Sequence, residues 1–325
     1  MSSKMVGVEI GSSTLKMAVF SGSSVKNMAV KRMPEDLVRE GKITAPAAMV
    51  EFIKEMRKEF NIPSGHAALV LPGQAVISHH VVMPKMSEAE LQLNLPFEFR
   101  DFVGKEGSKF YYDYSVMSMK EETMELYAAA VRQSTVEEYY DIFKKAGLTL
   151  KLAIPAEMAW MNLVDLAKDE PKKLCIVDVG HGYTRVNIFS NGNFVMGKDI
   201  EMGGFLLDET IASAQGVDNY VARTRKEADM NQVLATDTCV EFYQALAIEV
   251  MKAVNFYSYS DVDTSVALSD IYYCGGSSVI EPLRNAILKA TGLTMHHIHR
   301  LIPGKVVGDQ ALSCALAAGA AVQKV

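Results

Sequence analysis

The sequence predicts an α/β protein made of two related halves. Three observations predict it. Short apolar runs alternate with segments of helical periodicity along the whole chain, the pattern of the α/β class. The 325 residues suggest about two domains at ~150 residues each. The chain also repeats itself. With Lys4 set on Lys173, an offset of 169 carried without gaps puts Glu9 on Asp178, Gly11 on Gly180, Lys16 on Arg185, Phe20 on Phe189 and Ser21 on Ser190. In each half a strand ends in an acid, a Gly follows two residues later, and a polar loop leads to a second strand. Strand–Gly-turn–strand units are common, but here the acid, the Gly and the trailing Phe-Ser coincide.

The elements follow in order. Residues 5–10 form an apolar strand that ends in Gly11-Ser12-Ser13-Thr14, and 15–20 form a second, turned by Ser21-Gly22-Ser23-Ser24. Residues 45–60 read as a helix with Ala48, Phe52, Met56 and Phe60 on one face. A buried strand at 67–71 is broken by Pro72-Gly73, and 75–83 is another strand. Ser87 caps the next helix, with Glu90 at the capping-box position. Strands at 109–117 and 123–132 flank a polar turn. Ser134 caps a helix through Lys145, which Gly147 ends. The order strand, helix, strand, strand, helix over about 75–150 reads as a small module of its own.

From Pro171 the pattern begins again. Strands at 174–179 and 184–190 flank Gly180-His181-Gly182, and Asn191-Gly192-Asn193 makes a hairpin turn. Residues 205–215 are helical. A long helix covers 237–259, with Val240, Tyr243, Leu246 and Val250 at helical spacing. A strand at 270–274 runs through Gly275-Gly276-Ser277-Ser278 into a helix at 279–290. An Ala-rich helix from Asp309 to about Val322 has side chains small enough for close backbone packing.

Composition narrows the function classes. The chain is 49% hydrophobic and 22% charged, with 33 Lys+Arg against 39 Asp+Glu and a net charge of -6. That hydrophobic content argues against disorder, and the acidic balance against a nucleic-acid binder. The longest uncharged stretch, 60–84, holds three Pro and two Gly, which excludes a spanning helix of ~20 apolar residues. No apolar run precedes Glu9, so no signal peptide is expected. Cys175, Cys239, Cys274 and Cys314 lack metal-type spacing and read as reduced core residues of a cytoplasmic protein. His296, His297 and His299 read as exposed strand residues rather than metal ligands, and most of the 19 Met as core packing. Lys31-Arg32, Lys172-Lys173 and Arg223-Thr224-Arg225-Lys226 read as solvated basic runs, with Arg225 or Lys226 the candidates to approach a ribose.

The paired hairpins carry the chemistry. A tip of Gly-Ser-Ser-Thr offers backbone N–H groups and hydroxyls to an anion, and Gly permits the close approach. An acid at the end of the incoming strand suits a hydrated Mg²⁺. Two such hairpins across a cleft would clamp a metal–nucleotide from both sides. Neither a P-loop nor a dinucleotide fingerprint is present. The plainer roles remain open: a strand-end acid also caps turns, a strand Lys often points to solvent, and Glu157 at a helix start is favoured by the dipole alone.

The motif order resembles the actin-like ATPase superfamily. Gly7-Val8-Glu9-Ile10-Gly11-Ser12-Ser13-Thr14-Leu15-Lys16 is similar to its phosphate-1 hairpin, and Ile154-Pro155-Ala156-Glu157-Met158-Ala159 to connect-1. Val177-Asp178-Val179-Gly180-His181-Gly182-Tyr183-Thr184-Arg185-Val186 is similar to phosphate-2. Ile271-Tyr272-Tyr273-Cys274-Gly275-Gly276-Ser277-Ser278 is similar to the adenosine loop, and 308–319 to connect-2. Within the superfamily, Val82-Met83-Pro84-Lys85-Met86-Ser87-Glu88-Ala89-Glu90-Leu91 and Leu95-Pro96-Phe97-Glu98-Phe99 resemble the PilM family of type IV pilus assembly proteins.

The resemblance implies two ribonuclease-H-like domains around a nucleotide cleft, with an inserted 1C subdomain. Domain I would be 1–170 plus 304–325, with 1C at about 75–150. Domain II would be 171–303, with 2A at about 171–204 and 268–303 and 2B at about 205–267. ATP and Mg²⁺ would bind between them. Glu9 and Asp178 would hold the metal through water. Gly11, Ser12, Ser13, Thr14, Lys16, Gly180, Gly182, Thr184, Gly203, Gly204, Gly275, Gly276 and Ser277 would hold the nucleotide. Glu157 and Asp178 would be the catalytic acids. Glu9 stands where the superfamily usually has Asp, and His181 where a small residue is more usual, so hydrolysis is expected to be slow at most. The implied partner is the cytoplasmic tail of an inner-membrane PilN-like protein, in a groove at Leu95, Phe97 and Phe99, which would recruit the chain to the membrane. Self-association is left open. The alternatives are an FtsA-like division filament, disfavoured because no amphipathic helix follows before Lys324-Val325, and a small-molecule kinase of the same superfamily, for which no sugar-site Asp motif is found.

Overall fold

Residues 4–260, 266–304 and 308–322 are described by the computed structural model; Lys324-Val325 lies outside them. In the first half β1 (Met5–Ile10) turns into β2 (Thr14–Ser21), and β2 into β3 (Ser24–Arg32). A ribbon of β4 (Val38–Arg39) and β5 (Lys42–Ile43) leads into α1 (Pro46–Glu59). The chain then returns as β6 (Gly65–Val70), parallel to β1. Next come β7 (Val76–Pro84), α2 (Glu88–Glu98), α3 (Arg100–Val103), β8 (Phe110–Met119) and β9 (Thr123–Arg132). After α4 (Gln133–Lys145), β10 (Leu148–Ile154) pairs parallel with β6. Helix α5 (Ala156–Leu166) leads to the second half.

That half comprises β11 (Lys173–Val179), β12 (Thr184–Ser190), β13 (Asn193–Ile200), α6 (Gly204–Gln215), α7 (Asn219–Glu227) and α8 (Asp237–Ser260). It continues through β14 (Asp270–Cys274), α9 (Glu281–Thr291) and β15 (Thr294–His297). Helix α10 (Gln310–Ala321) follows.

The sequence repeat is a repeat of topology. The first large sheet has the order β10-β6-β1-β2-β3, and the second, read from its opposite edge, β15-β14-β11-β12-β13. Each contains an antiparallel three-strand meander whose first strand also pairs in parallel with a strand supplied after a helical segment. Burial on both faces explains why β1 and β11 read as apolar runs rather than alternating ones. The Ala-rich helix α10 lies directly on β1: a Cβ on Gly7 would stand 1.8 Å from the Ala317 carbonyl oxygen, and one on Gly319 2.1 Å from that of Ala159 in α5.

Several elements differ from expectation. Strand β3 hides its apolar residues among Lys26, Lys31 and Arg32, and β10 is an edge strand with a bulge between Leu150 and Leu152, so neither alternates cleanly. On α1 the buried stripe is Met49, Phe52, Ile53 and Met56, with Ala48 exposed. In α8, Val240 faces outward while Cys239, Tyr243, Leu246 and Val250 are buried. Ser134 lies inside α4, and no side chain caps that helix. Helix α4 and strand β10 are integrated into the first half: Tyr139, Ile142, Phe143 and Leu148 share a core with β1, β2 and α1.

Between them, β7, β9 and β8 form a three-stranded sheet with its own core of Val81, Met83, Leu91, Leu95, Phe99, Phe110 and Leu126. The Ser87–Glu90 capping box starts α2 as expected. Leu91 and Leu95 then lie one helical turn apart, with Phe99 a turn beyond at the helix end, and all three are buried. Leu95 and Phe99 therefore do not line a surface groove. Phe97, between them in sequence, points away and is 62% exposed.

Candidate functional site

The two hairpin tips face each other. Ser12 Oγ lies 3.7 Å from where a Cβ on Gly182 would stand. Between the halves is a cleft of about 670 Å³. The first hairpin lines it with Glu9, Gly11, Ser12, Ser13, Thr14 and Lys16; the second with Asp178, Gly180 and Gly182; the loop after β14 with Gly276 and Ser277. The structure thus brings together most of the sequence-expected set.

Strand register pairs each acid with a base. Glu9 stands opposite Lys16 across β1–β2, and Asp178 opposite Arg185 across β11–β12. Lys16 Nζ is 2.6 Å from Glu9 Oε1, with both side chains largely buried. Burial opposes the charge on Lys16, but Glu9 and then Asp178 outweigh it and raise its pKa. The plain solvent-facing role for Lys16 is thereby excluded. Burial pushes the Asp178 carboxyl up to about 6, with Lys16 pulling against that rise. A Cβ on Gly11 would come within 3.9 Å of both the Lys16 ammonium and the Glu9 carboxylate. Glycine keeps that ionic pair open to the cleft. Two carboxylates, three hydroxyls and buried cations form a donor set suited to a divalent cation with an attached polyphosphate.

Other expected residues support the cleft rather than line it. Thr184 is fully buried and donates to the Met202 carbonyl oxygen at 2.7 Å, so its hydroxyl is not offered to a ligand. Gly203 and Gly204 open α6. The N–H groups of Gly204 and Phe205 donate to the Gly180 and His181 carbonyl oxygens at 3.0 and 2.8 Å. A Cβ on Gly204 would stand 2.5 Å from Ser277 Oγ. Gly275 has φ 91°, and its Cβ would stand 2.5 Å from Asp178 Oδ1. These glycines allow loop, hairpin and helix to converge.

Glu157 borders a second cavity of about 450 Å³ together with Ser78, His79, Tyr127, Arg185 and Asp199. Burial and then the charge of Glu157 raise the pKa of Tyr127. Arg185 is bound to Asp199 through Nε at 2.5 Å and Nη2 at 2.8 Å, and it lines both cavities.

The basic run on α7 is not a solvated face. Asp218 caps this helix, which sequence reading missed because its apolar residues are few. Arg223 and Lys226, three residues apart, turn into the cleft, while Arg225 bonds Gln215 outside it. Arg223 donates to Ser13 Oγ at 2.7 Å. Lys226 is bound to buried Asp208 at 2.6 Å; burial lowers the pKa of Lys226 and raises that of Asp208, each opposed by the partner's charge. Burial, then Arg223, Lys226 and Arg32, press His181 down to about 4, so it is neutral in the cleft. Capping Asp218 followed by bases at helical spacing was the available signal. Elsewhere, Lys173 is buried, and His296 is half-buried and bound to Asp270 at 2.6 Å rather than exposed. Among the described residues no cluster of three or more His, Cys, Asp or Glu is arranged for a metal ion. All four cysteines are buried and free. No described helix is long and apolar enough to cross a membrane.

Known structures share this architecture. A protein titled PilM-PilN type IV pilus biogenesis complex superposes with a TM-score of 0.82 at 20% identity, over 98% of this chain and 97% of that one. The ethanolamine utilization protein EutJ from Carboxydothermus hydrogenoformans gives 0.62 at 15% identity, over 97% and 89%. MreB5 of Spiroplasma citri bound to ADP gives 0.51 at 12%, over 97% and 94%. These likenesses establish the actin-like ATPase fold. The family model for type IV pilus assembly protein PilM matches residues 7–303. With that match across nearly the whole chain and the paired hairpins in the family's fold, the chain belongs to the PilM family of type IV pilus assembly proteins.

Proposed function

We propose that this chain is a nucleotide-dependent scaffold of a type IV pilus or related secretion machine, binding ATP with Mg²⁺ in the cleft and recruiting an inner-membrane PilN-like tail from the cytoplasmic side. One observation carries the nucleotide reading: the facing hairpins, each with an acid and a base in register at its mouth, close on one cavity. Glu9 and Asp178 are the residues to hold a hydrated Mg²⁺, which would neutralise phosphate charge when bound. The first-hairpin hydroxyls and Lys16 would hold phosphate oxygens. Gly276 and Ser277 would lie against the nucleoside, and Gly203, Gly204 and Gly275 act by shaping the cleft. Glu157 borders the neighbouring cavity instead, with Arg185 between the two. That supports binding with slow hydrolysis over rapid turnover.

For the partner, the three-stranded sheet offers two edges, β7 and β8. An extended tail adds to such an edge through main-chain hydrogen bonds. Val82 on β7 and Leu93 and Phe97 on α2 are exposed apolar side chains of this module. The nucleotide reading is tested by titrating ATP with and without Mg²⁺ into wild type and Asp178→Ala. Mg²⁺-dependent binding that falls at least tenfold in the folded variant supports it; equal affinity in both overturns it.

A further inference from the structure

Arg185 lies in the second hairpin, but neither the motif pattern nor the nucleotide reading gives it a contact with the ligand. In the internal repeat it is the counterpart of Lys16, opposite Asp178 as Lys16 is opposite Glu9. The two bases differ in their partners. Lys16 bonds the acid of its own hairpin, whereas Arg185 turns to Asp199 on β13, which uses Nε and Nη2 and leaves Nη1 outside that pair. The side chain is 11% exposed and lies over the Tyr183 ring, 5.1 Å from its centre.

Its reach is also unusual. Arg185 lines the cleft and the second cavity at once. Across the cleft, its Nη2 stands 3.0 Å from the point where a Cβ on Gly73 would be. Gly73 opens the single turn that feeds β7, the first strand of the inserted module. One guanidinium therefore lines the cleft between the halves and stands beside the chain entry to the module. A guanidinium is always charged and presents a planar fork suited to a phosphate, which suits it to exchange one anionic partner for another.

We propose that Arg185 senses the terminal phosphate of a bound nucleotide and transmits its presence to the β7–β9 module through Gly73. A γ-phosphate competes with Asp199 for the guanidinium, the guanidinium shifts relative to the Gly73 backbone, and the entry to β7 changes with it. ADP lacks the competing group. This inference rests on the nucleotide reading, and its test separates the two.

The experiment compares ATP and ADP on full-length wild type, Arg185→Gln, Arg185→Lys and Gly73→Ala. Affinity is read by calorimetry and backbone exchange over residues 73–84 by hydrogen–deuterium exchange. Wild type is expected to prefer ATP and to change its exchange at 73–84 with ATP but not ADP. Arg185→Gln is expected to lose about tenfold in ATP affinity with little change for ADP, and to lose the exchange response. Arg185→Lys restores part of the ATP preference, which a purely structural defect would not allow. Gly73→Ala puts a methyl against Nη2 and abolishes the exchange response while the charge remains, which keeps the test open if Arg185→Gln folds poorly. Nucleotide binding by wild type with an unaltered ATP response in Arg185→Gln and Gly73→Ala overturns the inference alone. No nucleotide binding by wild type overturns both.

Discussion

Arg223 on α7 donates a hydrogen bond to the Ser13 hydroxyl at 2.7 Å, tying a helix of the second half to the first hairpin across 210 residues of chain. Glu227 holds Arg223 from one side at 3.0 Å and also approaches Arg32 of β3 at 3.5 Å. The cleft is thus bridged by a charged cluster rather than by the two hairpins alone. We expect Arg223→Ala to weaken ATP binding about tenfold, ~1.4 kcal/mol, because a largely buried charge-assisted bond is lost. Arg223→Lys should recover part of it. Calorimetry checks both, and unaltered affinity in Arg223→Ala would remove this bridge from the binding account.

Asp178 gives a pH dependence of known sign. Burial raises its folded value to about 6 against an ordinary 3.8, with Lys16 opposing. The folded chain then binds the proton more tightly than the unfolded one. Asp178 accordingly lowers stability as pH rises through that window, from about 4 to about 6. A divalent cation needs the ionised carboxylate, so Mg²⁺-ATP affinity is expected to fall as pH is lowered through about 6. His181, held at about 4, stays neutral through most of this range. The nucleotide's own protonation affects all variants alike, so the measurement is the difference in slope between wild type and Asp178→Asn. Identical slopes would mean that Asp178 does not meet the metal.

Gly275 should tolerate no side chain. Its φ is 91°, and an added Cβ would meet the Val179 carbonyl oxygen at 2.3 Å and Asp178 Oδ1 at 2.5 Å. Gly275→Asp is expected to cost at least tenfold in ATP affinity and ~1–3 kcal/mol of stability from backbone strain alone. A denaturation curve and a nucleotide titration together check this; a variant with wild-type values in both contradicts the close approach.

Phe97 and Phe99 should separate binding from folding. Phe99 is fully buried, 4.8 Å from the His79 ring and 5.5 Å from that of Tyr112 between centres. Phe99→Ala is expected to destabilise the protein by ~3–5 kcal/mol. Phe97→Ala should change stability within ~0.5 kcal/mol and weaken a PilN-like N-terminal peptide, measured by fluorescence anisotropy. Binding of that peptide in the micromolar range, about -8 kcal/mol, is expected for an extended tail that must be ordered. A peptide that binds no better than its scrambled control would sink the partner reading.

The sequence by itself determined the two-half α/β plan. Glu9, Gly11 and Lys16 recur as Asp178, Gly180 and Arg185 because each hairpin must end a buried strand, turn tightly and return in register. Those are local demands, and local chemistry satisfies them: Gly at the turn, an apolar run in the sheet, a capping box at Ser87. Tertiary structure decided what no spacing carries. Arg223 looked solvated because a base outside any apolar pattern reads as facing water, and here Ser13 of the opposite half meets it, while Lys226 is covered from its own half by Asp208. Thr184 looked like a phosphate donor, but its hydroxyl donates instead to the Met202 carbonyl, 18 residues on. Leu95 and Phe99 looked like a groove until the helix period, together with the sheet beneath it, buried both and left Phe97 outside. Whether a polar group serves a ligand or the fold depends on which distant chain reaches it first, and that is settled only when the halves pack.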